Sequence, residues 1–108
     1  MIRSVRVVGA GLIGTSIGLA LKASGIAVEM VDSDLVAQGF SNDIVKGHLV
    51  NQPDLIVVSV PILQTEHVVL EQLELNPDSI VCDIASVKSD LQLKVETISD
   101  HQIGRAHV

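Results

Sequence analysis

Gly9, Gly11 and Gly14 punctuate an apolar stretch, and Asp32 stands at the end of the next apolar run, Val28 to Val31. Glycines at intervals of two and three leave peptide amides bare. Bare amides that open a helix bind anions, because the first N–H groups have no intrahelical partner and the aligned peptide dipoles make that end partly positive. Gly9 turns the chain sharply off a strand, Gly11 lets a pyrophosphate reach the backbone, and Gly14 lets the helix press on the strands. The interval from Gly14 to Asp32 is close to the roughly 20 residues that separate such a loop from the carboxylate accepting hydrogen bonds from an adenosine ribose. The chemistry expected here is a non-covalent grip on a dinucleotide, with Leu12 and Ile13, which open the helix, in the cofactor-binding set. A tight structural turn beside a solvated Asp is the plainer alternative. Asp32 suits the free ribose hydroxyls of NAD and opposes the extra phosphate of NADP, and only Ser33-Asp34 follows, with no cation. NAD is therefore the expected cofactor.

These residues need a strand, a helix and a second strand to position them. Val5, Val7 and Val8 are a short β-branched run, Leu12 to Ala23 has helical length, and Gly25 stops it. Gly14, Gly18 and Leu21 share one helix face. Between Asp32 and Asp54 there is too little chain for a complete βαβ unit of about thirty residues. Asp34 to Gln38 is expected to form a turn or two of helix ended by Gly39, with a short strand around Ile44-Val45. The second crossover is thus expected to be trimmed and the third strand short or missing. Asp54 to Val60 reads as a strand apolar on both faces and ended by Pro61, Leu63 to Leu73 as a helix, Pro77-Asp78 as a turn, and Ser79 to Ile84 as a strand. Ser89 to Ile98 reads as a helix, and His101 to Ala106 could begin a last strand. Strands alternating with helices give the α/β class, a doubly wound parallel sheet of the Rossmann kind. Ligands of such sheets bind beyond the carboxyl ends of the strands. Asp32, Ser59, Pro61, Asp83 and Ser86 fall at such ends.

The composition agrees with this class. One domain fits 108 residues, and an apolar fraction of 47% with a single aromatic, Phe40, gives an aliphatic core suited to a buried parallel sheet. A net charge of −6 disfavours nucleic acid and anionic membranes as partners. The single cysteine, Cys82, cannot form an internal disulfide, so a cytoplasmic protein is expected. Arg3 and Arg6 ahead of an apolar run imitate a secretion signal, but Gly9, Gly11 and Gly14 interrupt the run and cleavage would destroy the loop. No apolar stretch is long enough to span a bilayer.

Three stretches carry a family resemblance: Gly9-Ala-Gly-Leu-Ile-Gly-Thr-Ser16, Ser59-Val-Pro-Ile-Leu-Gln-Thr65 and Asp83-Ile-Ala-Ser-Val-Lys88. Together they resemble the amino-terminal half of the prephenate and arogenate dehydrogenase family, over nearly the whole chain, with residues 33–53 the weakest part. The resemblance implies an NAD(P)-dependent oxidative decarboxylation that leaves an aromatic ring. It places Ser86 by the nicotinamide and the substrate, and it implies a downstream histidine that holds the reacting hydroxyl. The matching segment, Ile103-Gly-Arg-Ala-His107-Val108, departs from the family's Val-Gly-x-His-Pro by one extra residue and a missing proline. His107 is chosen over His101, and either histidine could instead be an ordinary surface residue. The resemblance also implies a helical second half that forms a homodimer and completes the pocket for prephenate or arogenate. The 108 residues are then a cofactor-binding domain that binds NAD without turning over substrate.

Other residues have two readings each. Pro61 and Thr65 could wall the nucleotide site, or merely end a strand and cap a helix. Ser86 could instead lead into the following helix. Lys88 is expected to be solvated, Asp83 to orient the Ser86 loop, and Cys82 to be a small buried thiol. His48 and His67 stand alone, and no Cys/His spacing suggests a metal site. Two other functions compete: a regulatory dinucleotide-sensing module without catalysis, and another NAD-dependent hydroxy-acid dehydrogenase. Asp83-Ile-Ala-Ser-Val-Lys88 argues against both.

Overall fold

The computed structural model describes residues 1–84. Four parallel strands, β1 (Ser4–Val8), β2 (Ala27–Val31), β3 (Leu55–Val58) and β4 (Ile80–Asp83), lie in the order β2-β1-β3-β4. They alternate with α1 (Leu12–Ala23), α2 (Leu35–Val45) and α3 (Ile62–Leu75). This is the doubly wound order with its outermost third strand left out, so the order reverses between β1 and β3. The expected helix Ser89–Ile98 and the strand from His101 lie outside the described residues.

Alternation along the strands divides the core in two. Val5 and Val7 of β1, Val28 and Met30 of β2 and Val57 of β3 pack on one face with Val45 of α2, and Ile17 and Leu21 of α1 close over them. Val8, Ile56, Val58 and Val81 face the other way, under Val69 of α3. Burying each such side chain stabilises the fold by about 1.5–3 kcal/mol, and β-branched residues fit the pleat. Gly18 lets α1 settle on this core: a Cβ there would meet the Met30 Sδ at 2.8 Å and Val45 at 3.2 Å.

The segment after Asp32 corrects two expectations. Helix α2 passes through Gly39 to Val45, and no strand forms at Ile44-Val45. Gly39 sits on an exposed face, where its cost is about 1 kcal/mol relative to Ala. Asp34 caps the helix, its carboxylate accepting the Val36 and Ala37 amides, and Val45 anchors the far end in the core. The crossover has therefore lost its strand and kept its helix.

Two side chains and a loop amide stand in for the missing strand along the outer edge of β2. Asn42 Oδ1 accepts the Met30 N–H at 3.0 Å, and Asn42 Nδ2 donates to the Met30 carbonyl at 3.0 Å. The His48 N–H donates to the Val28 carbonyl, and Gln38 Oε1 accepts the Asp32 N–H. An edge whose backbone groups are taken in this way cannot template pairing with another chain. At the other end of the sheet Asp54 accepts the Arg3 and Ser4 amides, and chiefly the Arg3 bond holds its carboxyl below the usual range.

Candidate dinucleotide site

Gly9, buried at φ +114°, turns the chain off β1, and its N–H donates to the Val31 carbonyl at 2.7 Å. A side chain there would strike the Ser59 carbonyl, and one at Gly14 would strike the Gly9 carbonyl. These two glycines let β3, the loop and α1 touch. Gly11 differs, because a Cβ there would meet nothing within 4 Å. It opens outward at the N-cap of α1, which has no side-chain cap and no acidic residue in its first turn. The end of α1 is thus a bare, partly positive amide cluster that an anion can approach.

Asp32 faces this loop. Its Oδ2 accepts the Ala10 N–H at 2.7 Å, and its Oδ1 accepts the Asp34 N–H at 2.8 Å. A carboxylate oxygen has room for two bonds, so both oxygens can still accept a hydroxyl. Asp32 therefore does two things: it fixes the loop and presents an acid at the tip of β2.

A cleft of about 680 Å³ opens at this point, at the reversal of strand order. Gly9, Gly11, Asp32, Ser59 and Pro61, all expected at the site, line it together. Its volume falls within the range of small-molecule sites. Gly14, Leu12, Ile13 and Thr65 are not among the lining residues. Gly14 is buried under the loop, while Leu12 and Ile13 are exposed at the start of α1. Thr65 is buried, and its hydroxyl donates to the Pro61 carbonyl within the first turn of α3. Ser86 and His107, with His101, lie outside the described residues.

The cleft continues along α3, where Gln64, His67, Val68 and Glu71 form its wall. His67, which stands alone in the sequence, is brought to the cleft by α3. The signal was the spacing 64, 67/68, 71, one helical face on the helix that follows the proline-ended strand. Cys82 is half-buried in β4, and burial, helped by the Asp83 charge, pushes its thiol up to about 11. It is therefore protonated and a poor nucleophile near neutral pH. Among the described residues no group of three His, Cys, Asp or Glu side chains could hold a metal, and no helix is long and apolar enough to cross a membrane.

Comparison with known proteins agrees with this geometry. A family model described as the nucleotide-binding domain of prephenate dehydrogenase matches residues 17–107. The match starts after the glycine loop, so the loop geometry and the match are separate observations. The chain is 29% identical over 99 residues to the probable prephenate dehydrogenase NovF of Streptomyces niveus, covering 89% of this chain and 27% of that protein. The chain thus spans about a quarter of that relative's length. Among solved structures, Synechocystis arogenate dehydrogenase superposes with a TM-score of 0.69 at 24% identity, over 90% of this chain and 37% of the other. Prephenate dehydrogenase from A. aeolicus, in complex with hydroxyphenyl propionate and NAD+, superposes with a TM-score of 0.66 at 20% identity, over 77% of this chain and 33% of the other. Both likenesses establish the fold.

Proposed function

Since the chain belongs to the family of prephenate dehydrogenase nucleotide-binding domains, we propose that it binds NAD in the cleft between the glycine loop, Asp32 and α3. The observation that carries this reading is the bare amide end of α1 beside a carboxylate fixed on the loop by the Ala10 N–H. The residues present fit the cofactor. Gly11 leaves space for the pyrophosphate, and both Asp32 oxygens keep capacity for ribose hydroxyls. Among the described residues that line the cleft there is no Lys or Arg, so a 2′-phosphate on a ribose held at Asp32 would face the like charge of that carboxylate.

In the intact protein this domain serves an oxidoreductase acting on prephenate or arogenate. Bound NAD supplies the hydride acceptor, and the protein supplies placement. The family resemblance puts Ser86 beside the nicotinamide and gives His107 the role of holding the substrate hydroxyl. A neutral imidazole can take that proton near pH 7. The single thiol and the acidic charge support a cytoplasmic protein that binds neither nucleic acid nor membrane. A further helical domain, the homodimer contact and the rest of the substrate pocket belong to the same reading.

Calorimetric titration of the 108-residue chain with NAD and NADP, beside a turnover assay with prephenate, tests it. The expected result is binding of NAD at least about tenfold tighter than NADP, the weight of one unfavourable charge contact, and no turnover. Tighter binding of NADP refutes the cofactor assignment, and turnover refutes the division of labour.

A further inference from the structure

The wall of the cleft along α3 carries more than the grip on phosphate and ribose requires. Gln64, His67, Val68 and Glu71 all line it, at intervals of three and four. The lining also includes Val31 and Ser33, at and just past the end of β2, with Asp32 between them. The lining thus combines apolar Val8, Val31 and Val68 with the polar groups of Gln64, His67 and Glu71. Helix α3 starts at Ile62, beside Ser59 and the glycine loop, and runs away from it. At 1.5 Å per residue, His67 lies about 7 Å along the helix axis from Ile62 and Glu71 about 13 Å. The two are thus about 6 Å apart along the axis, close to the length of a purine ring system. On the dinucleotide reading, a nucleotide with its pyrophosphate at Gly11 and its ribose at Asp32 would extend its base along this wall, toward Val68 and Glu71, which line the same cleft.

Among the described residues Glu71 has neither a hydrogen-bond partner nor an ion pair. The neighbouring Gln72 is occupied: its Oε1 accepts from the Asn76 amide and the Arg6 guanidinium. A carboxylate can only accept hydrogen bonds. The edge of adenine remote from its sugar offers a donor, the 6-amino group, whereas a 6-oxo purine offers an acceptor there.

We infer that Glu71 selects the base, accepting a hydrogen bond from the 6-amino group of adenine and repelling a 6-oxo purine, with Val68 beneath the ring and His67 beside it. The inference rests on the dinucleotide reading and assigns the base specificity of that same cleft. Such discrimination arises because the wrong base leaves a charged acceptor unpaired and facing a second acceptor.

Competition binding of NAD and its 6-oxo analogue, nicotinamide hypoxanthine dinucleotide, to the 108-residue chain and to Glu71→Gln and Glu71→Ala tests it. Glu71 is exposed on α3, so neither variant removes a packing contact. The unsubstituted chain is expected to prefer NAD by about tenfold, the factor of one charge-assisted hydrogen bond. Glu71→Ala should bring the two dinucleotides within about threefold of each other. Glu71→Gln, whose amide can donate to a 6-oxo group, should bind the analogue at least as well as NAD. Equal binding of both by the unsubstituted chain, or a ratio unchanged in both variants, overturns the inference and leaves the dinucleotide reading standing. Failure of the unsubstituted chain to bind either compound overturns both.

Discussion

At the tip of β2 the Asp32 carboxylate takes the Ala10 N–H on one oxygen and the Asp34 N–H on the other. Removing it breaks the link between the second strand and the glycine loop as well as the proposed contact with a ribose. Asp32→Ala is expected to lower stability by about 1–2 kcal/mol, the weight of hydrogen bonds to a charged group in a half-exposed place, and to weaken NAD binding by tenfold or more. Urea denaturation and calorimetry check the two parts. Unchanged stability would mean that the carboxylate does not hold the loop. The position of Asp32 was legible in the sequence, because strand, glycine turn, helix and acid come at fixed intervals. Its bond to Ala10 was not, since spacing says nothing about which way a carboxylate turns. The glycines divide similarly. Gly11 stays open for a ligand, whereas Gly9 and Gly14 are demanded by contacts within the protein. Thr65 shows the limit of reading by proximity: near the right strand end, it faces inward and bonds to Pro61.

Among the elements, α2 departs furthest from expectation. Its sequence holds Gly39 and β-branched residues, which favour a short helix by propensity alone. Packing decided otherwise, through Val45 in the core and Asn42 along the open edge of β2. The helix ends at Lys46, whose φ of 62° and ψ of 41° are left-handed, a conformation glycine adopts without penalty. Lys46→Gly is expected to raise stability by about 0.5–1 kcal/mol, after its gain in unfolded-state entropy is deducted. Asn42→Ala should lower it by about 1–3 kcal/mol, because two backbone groups of β2 lose their partners, and should promote self-association through the bared edge. Denaturant midpoints and sedimentation measure both. The opposite order of stabilities would show that the edge is not closed by Asn42. The central strand β3 was legible in full, since Leu55, Ile56, Val57 and Val58 on successive positions leave no solvent face. The edge closure was not, because it depends on a helix three turns long that runs past Gly39, the first stop the sequence offers, to Val45 before Lys46 and Gly47.

For the whole molecule, the reversal of strand order between β1 and β3 brings one set of residues to a single cleft. The glycine loop comes from the first crossover, Asp32 from the second strand, and Pro61, His67 and Glu71 from the chain beyond the third. That convergence is a property of topology. The sequence announced each stretch separately, and the α/β alternation joined them, but the far wall on α3 became visible only once the helix was laid against the sheet. Family membership and this geometry agree on a nucleotide-binding domain, and its central claim is that the amides opening α1 receive the phosphates of NAD. Amide chemical-shift mapping during an NAD titration tests it most directly. The largest shifts are predicted at Gly9 to Gly14 and at Asp32 and Ser33, with smaller ones along α3 from Gln64 to Glu71. Saturable shifts confined to other surfaces, with the loop amides unmoved, would contradict it.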